Sequence, residues 1–133
     1  MTYFLDTSII INLLRKKDKT RDFIVSHADD VFITSTICEA EIAVGVYREE
    51  SSKIALRMEQ AEKLFSSFYQ VVSFDRHQAI IAGRFKAELS RVGYLIDDLD
   101  ILIAAAATSY NATLVTSNPK HFERIKTLQI LTL

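Results

Sequence analysis

The segment Leu95–Asn118, LIDDLDILIAAAATSYNATLVTSN, carries three aspartates at the start of a stretch that is otherwise almost entirely apolar. Its spacing predicts a helix over Asp97–Tyr110 and a strand over Ala112–Ser117. A helix with four consecutive alanines and few polar positions is typical of a buried element. The aspartates therefore either cap this helix or hold a cation, and the segment alone does not decide between these roles.

Strand and helix patterns alternate along the rest of the chain. The predicted strands are Tyr3–Leu5, Val31–Thr34, Tyr69–Phe74, Ala112–Ser117 and, at an edge, Leu128–Leu133. The predicted helices are Thr7–Arg15, Lys19–Ser26, Ser35–Glu50, Ser51–Phe68, Asp75–Val92 and Asp97–Tyr110, with a short one at Pro119–Arg124. This order predicts one α/β domain, residues 1–133: a three-layer α/β/α sandwich around a central, mostly parallel sheet of four to five strands.

Two helices on either side of Gly93 allow finer predictions. Gly93 is expected to end the first of them as a C-terminal cap. The expected core faces are Ile80, Ile81, Phe85 and Leu89 in the first helix and Leu99, Leu102, Ile103, Ala106 and Tyr110 in the second.

The composition narrows the class of protein. A hydrophobic fraction of 49% with three glycines and one proline is typical of a compact, helix-rich domain and argues against disorder. The net charge of -1 gives no overall basic signature, although a local basic patch remains compatible with it. The single cysteine, Cys38, excludes an internal disulfide and a cysteine-rich zinc site. The N-terminal segment is apolar first and basic afterwards, unlike a signal peptide, so we expect a soluble, cytoplasmic protein without a membrane span.

Polar clusters fall where the carboxyl ends of the predicted strands should meet, which is where parallel sheets gather ligands. The clusters are Asp6, then Glu39 and Glu41, then Asp97, Asp98 and Asp100, then Thr116, Ser117 and Asn118. Asp6 is able to cap the helix that follows it, but Ser8 is too. A carboxylate that ends an apolar strand is costly unless it is paired, which favours a functional role for Asp6.

Capping also competes with function among the other acids. Thr36 and Glu39 form a capping-box pattern, so Glu41, which lies past the first turn among apolar residues, is the better functional candidate. Asp97 fits the N-cap of its helix, whereas Asp98 lies in the first turn, where the helix dipole favours any anion. Asp100 lies a full turn inside a helix predicted to be buried, so we expect it to face a pocket and to have a partner.

These acids have no lysine or arginine beside them in the sequence, and grouped carboxylates repel one another. A divalent cation removes that repulsion, and all-oxygen ligands suit Mg²⁺ or Mn²⁺ rather than zinc. The three histidines, His27, His77 and His121, have surface-like contexts and no metal-ligand spacing. Asn118 precedes Pro119, an arrangement typical of an N-cap, and is also able to orient a water.

Four motifs in order resemble those of PIN-domain ribonucleases, most closely the VapC toxins of toxin–antitoxin pairs. They are FLDTSIIINLL, ITSTICEAEIAVG, DILIAAAA and LVTSNPKHFERI, and they span nearly the whole chain. The resemblance places the family's metal-site acids on Asp6, Glu41 and Asp100, with Asp98 as an additional catalytic acid. Many members carry an aspartate where this chain has Asn118, which makes that position a weaker ligand or a water contact.

The resemblance implies a PIN-like fold and an Mg²⁺- or Mn²⁺-dependent endoribonuclease that hydrolyses RNA phosphodiester bonds. Asp6, Glu41 and Asp100 would hold one or two ions, and hydroxyls would orient the carboxylates through waters. The hydroxyl and water-positioning candidates are Thr7, Ser8, Thr116, Ser117 and Asn118. The candidate RNA-binding cations are Arg15, Lys16, Lys17 and Lys19. It further implies a homodimer and a cognate VapB-type antitoxin that wraps the toxin and inserts a basic side chain near the acids.

Other readings fit less well. A haloacid-dehalogenase-like phosphatase needs a second acid two residues after the first, and that position holds Ser8. A response-regulator receiver needs an acid pair at its first strand and a late lysine, and Asp75 alone does not supply these. A catalytically weak PIN-like scaffold that acts by binding protein or RNA remains as the alternative, and metal binding separates it from a nuclease.

Overall fold

The structure is a computed structural model that covers residues 1–133. Its strands are β1 (Thr2–Leu5), β2 (Val31–Ser35), β3 (Gln70–Val72), β4 (Thr113–Thr116) and β5 (Ile130–Thr132). Its helices are α1 (Thr7–Leu14), α2 (Asp18–Ser26), α3 (Thr36–Tyr47), α4 (Ser51–Ser67), α5 (Arg76–Arg91) and α6 (Asp98–Ser109), with one 3₁₀ turn at Pro119–His121.

The five strands form one sheet in the order β3-β2-β1-β4-β5, and every neighbouring pair is parallel. The sheet is flanked by helices, so the predicted α/β/α class is confirmed, with a sheet that is parallel throughout. Because all five strands run the same way, the segments that leave β1, β2 and β4 all start from one edge of the sheet. That shared edge positions the candidate site.

The core is a single cluster of 28 buried hydrophobic residues. Phe4 and Leu5 of the central strand β1 have no exposed surface, and neither do the α6 residues Ile103–Ala107. The alanines of α6 leave room for a close approach, and α6 packs mainly against α5. A strand buried on both faces reads as a continuous apolar run, which is what the β1 sequence shows.

The predicted core faces need correction at four residues. In α6, Leu99 is 42% exposed and Tyr110 is 39% exposed, whereas Ile101, which is not on the predicted face, is 3% exposed. In α5, Ile80 is 76% exposed, and the core face is formed by Ile81, Ala82, Phe85 and Leu89 with Gln78. Helix α6 has apolar residues on nearly all sides, so its sequence contains no single stripe that fixes its rotation.

The ends of the elements also differ from prediction in places. Gly93 caps α5 as predicted: its φ is +77°, its N–H donates to Ser90, and the Tyr94 N–H donates to Leu89. The cap of α3, however, is Ser35, whose hydroxyl accepts from the Ile37 N–H, so the Thr36–Glu39 capping box does not form. None of the helices is long and apolar enough to cross a membrane.

Candidate metal and catalytic site

Asp6 lies where β1 ends and α1 begins, and it is 5% exposed. One carboxylate oxygen accepts from the Thr7 N–H at 2.8 Å and caps α1. The other accepts from the hydroxyls of Ser8 at 3.0 Å and Thr116 at 2.7 Å. The capping role and the site role are therefore compatible in Asp6, because its two oxygens are used separately.

Glu41 is reached from α1 through a hydroxyl. The Thr7 Oγ1 donates to Glu41 Oε1 at 2.7 Å. Thr7 and Ser8, which are consecutive in the first turn of α1, thus bind two of the predicted acids: Thr7 binds Glu41 and Ser8 binds Asp6. Glu41 is partly buried, whereas Glu39, two residues earlier on α3, is exposed. The hydrogen bond from Thr7 to Glu41, together with the exposure of Glu39, agrees with the prediction that Glu41 is the better functional candidate.

Asp100 lies in the first turn of α6, not a full turn inside it as predicted, because α6 begins at Asp98. Its side chain is 17% exposed. The sequence predicted that Asp100 has a partner, and in the structure that partner is His121. Nδ1 of its imidazole lies 3.1 Å from Asp100 Oδ2. The His121 side chain is 55% exposed, as its surface-like context predicted. Its contact with Asp100 was not predicted, because the 3₁₀ turn after β4 brings the ring to α6, 21 residues away in sequence, which no local pattern reveals.

The acids influence one another electrostatically. Burial raises the pKa of Asp100 to about 6, the nearby His121 opposes the shift, and the charges of Asp6, Asp97 and Glu41 add to it. The carboxylates thus share one electrostatic environment although they come from three separate parts of the chain. Cys38 lies beneath them and is inert, since burial raises the pKa of its thiol to about 11.

The other two aspartates of the quoted segment have different positions. Asp97 caps α6 as predicted, with its carboxylate accepting from the Leu99 N–H at 2.9 Å. Asp98, predicted as an additional catalytic acid, is 73% exposed at its side chain and pairs with Lys86 of α5 at 2.6 Å. Asp98 therefore lies at the rim of the site, bound to a cation that the sequence did not connect with it.

Hydroxyl groups complete the edge. Ser8 Oγ accepts from the Ser117 N–H, Thr116 Oγ1 accepts from the Asn118 N–H, and Asn12 donates to Ser117 Oγ at 3.1 Å. These bonds tie the start of α1 to the end of β4. The Asn118 side chain is exposed and makes no capping bond, so only its backbone takes part.

The donor set decides which cation these residues suit. No three histidine, cysteine, aspartate or glutamate side chains meet at the spacing of a complete ligand set. The groups that face the edge are nevertheless mainly carboxylate and hydroxyl oxygens, which suit a hard divalent cation such as Mg²⁺ or Mn²⁺. Burial is the main cause of the raised Asp100 pKa, and such a cation would offset the repulsion from Asp6, Asp97 and Glu41 that adds to it. The chemistry of the donor set therefore fits such a cation.

A groove runs from Glu41 along α1, α3 and α4. It is lined by Ile11, Leu14, Arg15, Glu41, Ile42, Gly45, Val46, Glu49, Arg57 and Gln60. Of the four predicted RNA-binding cations, Arg15 lies in this groove, whereas Lys16, Lys17 and Lys19 are exposed outside its lining. A second, apolar patch lies on the other side of Glu41 and includes Ile37, Ala40, Val44 and Leu99.

Comparison with known proteins matches this geometry to a family. The family model described as PIN domain matches residues 3–128. The ribonuclease VapC1 of Haemophilus influenzae is 32% identical over 131 residues, which are 97% of this chain and 96% of that protein. The chain belongs to the PIN-domain family. The ribonuclease VapC2 of Rickettsia felis is 29% identical over 96% of this chain and 95% of its own length, and the resemblance to VapC-type members is thereby confirmed.

Solved structures of PIN-domain proteins share the fold over the full chain. VapBC2 from Rickettsia felis, bound to a DNA fragment from its promoter, superposes with a TM-score of 0.92 at 27% identity and covers 100% of this chain and 99% of its counterpart. VapBC-1 from nontypeable Haemophilus influenzae superposes with a TM-score of 0.87 at 30% identity, covering 99% and 98%. Both structures are named as complexes, which bears on the surfaces around the site.

Three residues in or beside the candidate site were not predicted from the sequence: Asn12, Lys86 and His121. Asn12 carries a weak local sign, since it is a polar residue inside the apolar run of α1. Lys86 and His121 carry none, because their partners lie on other elements.

Proposed function

We propose that this chain is an Mg²⁺- or Mn²⁺-dependent endoribonuclease and the toxin of a type II toxin–antitoxin pair. The observation that carries the proposal is the approach of Asp6, Glu41 and Asp100 to one sheet edge in a chain whose full-length relatives are named ribonuclease VapC. These three acids come from separate parts of the chain and none is paired with a lysine or arginine: hydroxyls hold Asp6 and Glu41, and His121 contacts Asp100. Such acids are suited to cation binding.

The side chains of the proposed site have two kinds of role, metal binding and orientation of the metal-binding acids. Asp6, Glu41 and Asp100 are the metal ligands and the catalytic acids. Ser8 and Thr116 fix the orientation of Asp6, and Thr7 fixes that of Glu41, through the hydrogen bonds described above. A bound divalent cation supplies charge stabilisation for the phosphodiester and a water of lowered pKa.

Substrate binding is assigned to cations beside the acids. RNA phosphates require local positive charge, and the chain's net charge of -1 means that this charge is confined to patches. Arg15 in the groove and Lys86 beside Asp98 are the cations that we assign to contacts with the RNA. Lys16, Lys17 and Lys19 follow the far end of α1 and are proposed only as outer contacts.

The groove along α1, α3 and α4 is proposed as the binding site of a VapB-type antitoxin. Its floor is apolar, from Ile11, Leu14 and Val46, and it carries both signs of charge at its sides, on Arg57 and Glu49. An amphipathic segment of a partner fits such a surface. A basic side chain entering at the Glu41 end would neutralise the acids and inhibit the enzyme.

A homodimer is proposed through the apolar patch of α3 and α6. Val44 is 49% exposed and Leu99 is 42% exposed, and together with Ile37 they leave apolar surface beside Glu41. A second copy covering this patch would bury it and bring two sites side by side.

The competing function is a binding scaffold with little catalysis. The test is incubation of the purified chain, free of antitoxin, with a panel of structured RNAs in Mg²⁺, in Mn²⁺ and in chelator. Asp100→Asn is the test variant, and Glu39→Gln, an exposed acid on α3, is the control. We expect metal-dependent cleavage by the wild type and the control, and a loss of at least about 100-fold in Asp100→Asn. Cleavage that persists in chelator or in Asp100→Asn would refute the proposal.

A further inference from the structure

A cleft outside the acidic site lies between the last turns of α5 and the residues that follow the 3₁₀ turn. It has a volume of about 190 Å³. The buried side chains of Phe85, Leu89 and Ile125 form its apolar floor. An apolar cavity of about 150 Å³ is enough to hold benzene, so this cleft has room for one aromatic ring.

The rim of the cleft carries opposite charges that do not meet. Glu88 belongs to α5, whereas Arg124 and Lys126 belong to the segment after the 3₁₀ turn, and all three are exposed. None of them takes part in an ion pair. The rim therefore offers a carboxylate acceptor and two cations to a ligand that has both N–H donors and a phosphate.

Arg124 is held by an aromatic side chain. Its guanidinium carbon lies over the Tyr94 ring, 4.0 Å from the ring centroid. A guanidinium plane has two faces, and unstacked RNA bases stack on arginine planes as they do on aromatic rings. The contact with Tyr94 thus prepares Arg124 to receive a flat ring on its other face.

The Tyr94–Arg124 stack joins the two segments that approach Asp100. Tyr94 precedes Asp97 by three residues, and the charge of Asp97 acts on Asp100. Arg124 follows His121 by three residues, and His121 contacts Asp100. Three residues of extended chain span at most about 11 Å, so the stack lies close to the acids on both segments.

We propose that this cleft binds one base of the substrate RNA near the cleaved bond, and that the base is cytosine. This inference rests on the proposed ribonuclease function. The base stacks on Arg124, Lys126 binds a phosphate, and Glu88 accepts a hydrogen bond from the exocyclic amino group. Uracil presents a carbonyl oxygen at that position, which repels a carboxylate, and a purine has two rings where the cleft has room for one.

Two rival explanations assign a simpler role to Arg124. In one, its stack with Tyr94 only joins the loop before α6 to the segment after the 3₁₀ turn, so RNA binding does not depend on it. In the other, Arg124 is a general phosphate contact, so a lysine replaces it and every RNA sequence is affected equally. Stacking instead requires the planar guanidinium, which lysine lacks.

The experiment is fluorescence anisotropy with end-labelled RNA octamers of cytidine, uridine and adenosine. It is carried out in chelator, so that metal-dependent cleavage does not consume the RNA. The proteins are the full-length wild type, Arg124→Ala, Arg124→Lys, Glu88→Ala and the control Lys53→Ala, an exposed lysine on α4. Circular dichroism checks that each variant is folded.

We expect the wild type to bind the cytidine octamer at least about threefold more tightly than the other two. Arg124→Ala and Arg124→Lys should both weaken binding of the cytidine octamer by at least about fivefold, and Lys53→Ala should leave it unchanged. Glu88→Ala should remove the preference for cytidine over uridine.

Full binding by Arg124→Lys, equal binding by wild type and Arg124→Ala, or equal affinities of the wild type for all three octamers would overturn the cleft assignment. None of these results touches the proposed function, which the cleavage assay tests separately. A wild type that shows the expected octamer preference but no metal-dependent cleavage would overturn the ribonuclease proposal and leave the cleft as a binding site for cytidine in RNA.

Discussion

Asp100 is partly buried, and both its burial and the negative charges of the surrounding acids disfavour the ionised form of its carboxyl group. Its pKa of about 6 lies above the value of about 4 expected in an unfolded chain, so the folded chain binds this proton more tightly. The contribution of Asp100 to the free energy of unfolding therefore falls as the pH rises from about 4 to about 6, and stays low above that range. Ionised Asp100 therefore lowers the free energy of unfolding, as expected of a carboxylate that serves binding rather than stability.

The corresponding prediction concerns Asp100→Asn measured in chelator. At pH about 7.5 the variant should be more stable than wild type by about 1 kcal/mol, a value discounted for partial solvent screening of the carboxylate. At pH about 3, below the pKa of Asp100 in both the folded and the unfolded state, the difference should shrink to near zero. Urea unfolding at the two pH values measures it, and a variant that is less stable than wild type at pH about 7.5 would contradict the electrostatic account.

The sequence predicts the acids of this site better than it predicts their neighbours. Asp6, Glu41 and Asp100 stand out because each is a carboxylate in an apolar context: Asp6 ends a strand, Asp100 lies near the start of a helix, and Glu41 lies past the first turn of its helix. His121 and Lys86 are ordinary surface residues by local pattern, and only the tertiary fold brings them to Asp100 and Asp98. Pairing between elements depends on side-chain geometry that a single sequence does not contain.

Individual elements carry predictions of their own. Gly93 ends α5 with a φ of +77°, a conformation that costs an L side chain about 1–2 kcal/mol. Gly93→Ala should therefore lower the free energy of unfolding by about that amount. Gly83→Ala is the matched control within the same helix: an added Cβ meets nothing within 4 Å, so it should raise stability by about 0.5–1 kcal/mol. Urea titration of both variants tests the cap, and effects of equal sign would show that the cap is unimportant.

The groove lined by α3 depends on Gly45. A Cβ added there meets nothing within 4 Å, so the backbone has room for a side chain that projects into the groove. We expect Gly45→Leu to remain folded, as measured by circular dichroism, and to lose affinity for its co-expressed antitoxin by at least about tenfold. Gly83→Ala, outside the groove, is the control. Unchanged antitoxin binding by Gly45→Leu, measured by surface plasmon resonance, would place the partner elsewhere.

Element boundaries and rotations were predicted unevenly. The glycine cap of α5 is confirmed because the conformational preference of glycine is a local property. The rotation of α6 was wrong at Leu99 and Tyr110 because an almost uniformly apolar helix gains its orientation from packing against α5. The capping box of α3 failed because the chain offered both Ser35 and Thr36 as caps.

At the scale of the whole molecule, the alternation of strands and helices sufficed to predict a parallel α/β sheet. The order β3-β2-β1-β4-β5 follows from which strands pair across helical crossovers, and no local pattern states it. Once that order exists, the carboxyl ends of β1 and β4 are adjacent, and Asp6 is bonded to Thr116 across 110 residues of sequence. The site is therefore a consequence of topology acting on well-placed acids.

Assembly provides a further prediction at this scale. Val44→Asp places a charge in the apolar patch proposed to join two copies, and we expect the variant to be monomeric by light scattering after size exclusion, while the wild type is dimeric. Val25→Asp, at another exposed valine on α2, is the control and should remain dimeric. A dimer that survives Val44→Asp would show that the interface lies on another face.

The central claim is that Asp6, Glu41 and Asp100 together form one binding site for a divalent cation. The most direct test compares Mn²⁺ binding by wild type, Glu41→Gln and Glu39→Gln in calorimetric titration, because these two glutamates lie on the same helix two residues apart. We predict that Glu41→Gln weakens binding by at least about tenfold and that Glu39→Gln leaves it unchanged. Equal affinities in all three proteins would contradict the account and leave the acids as structural groups.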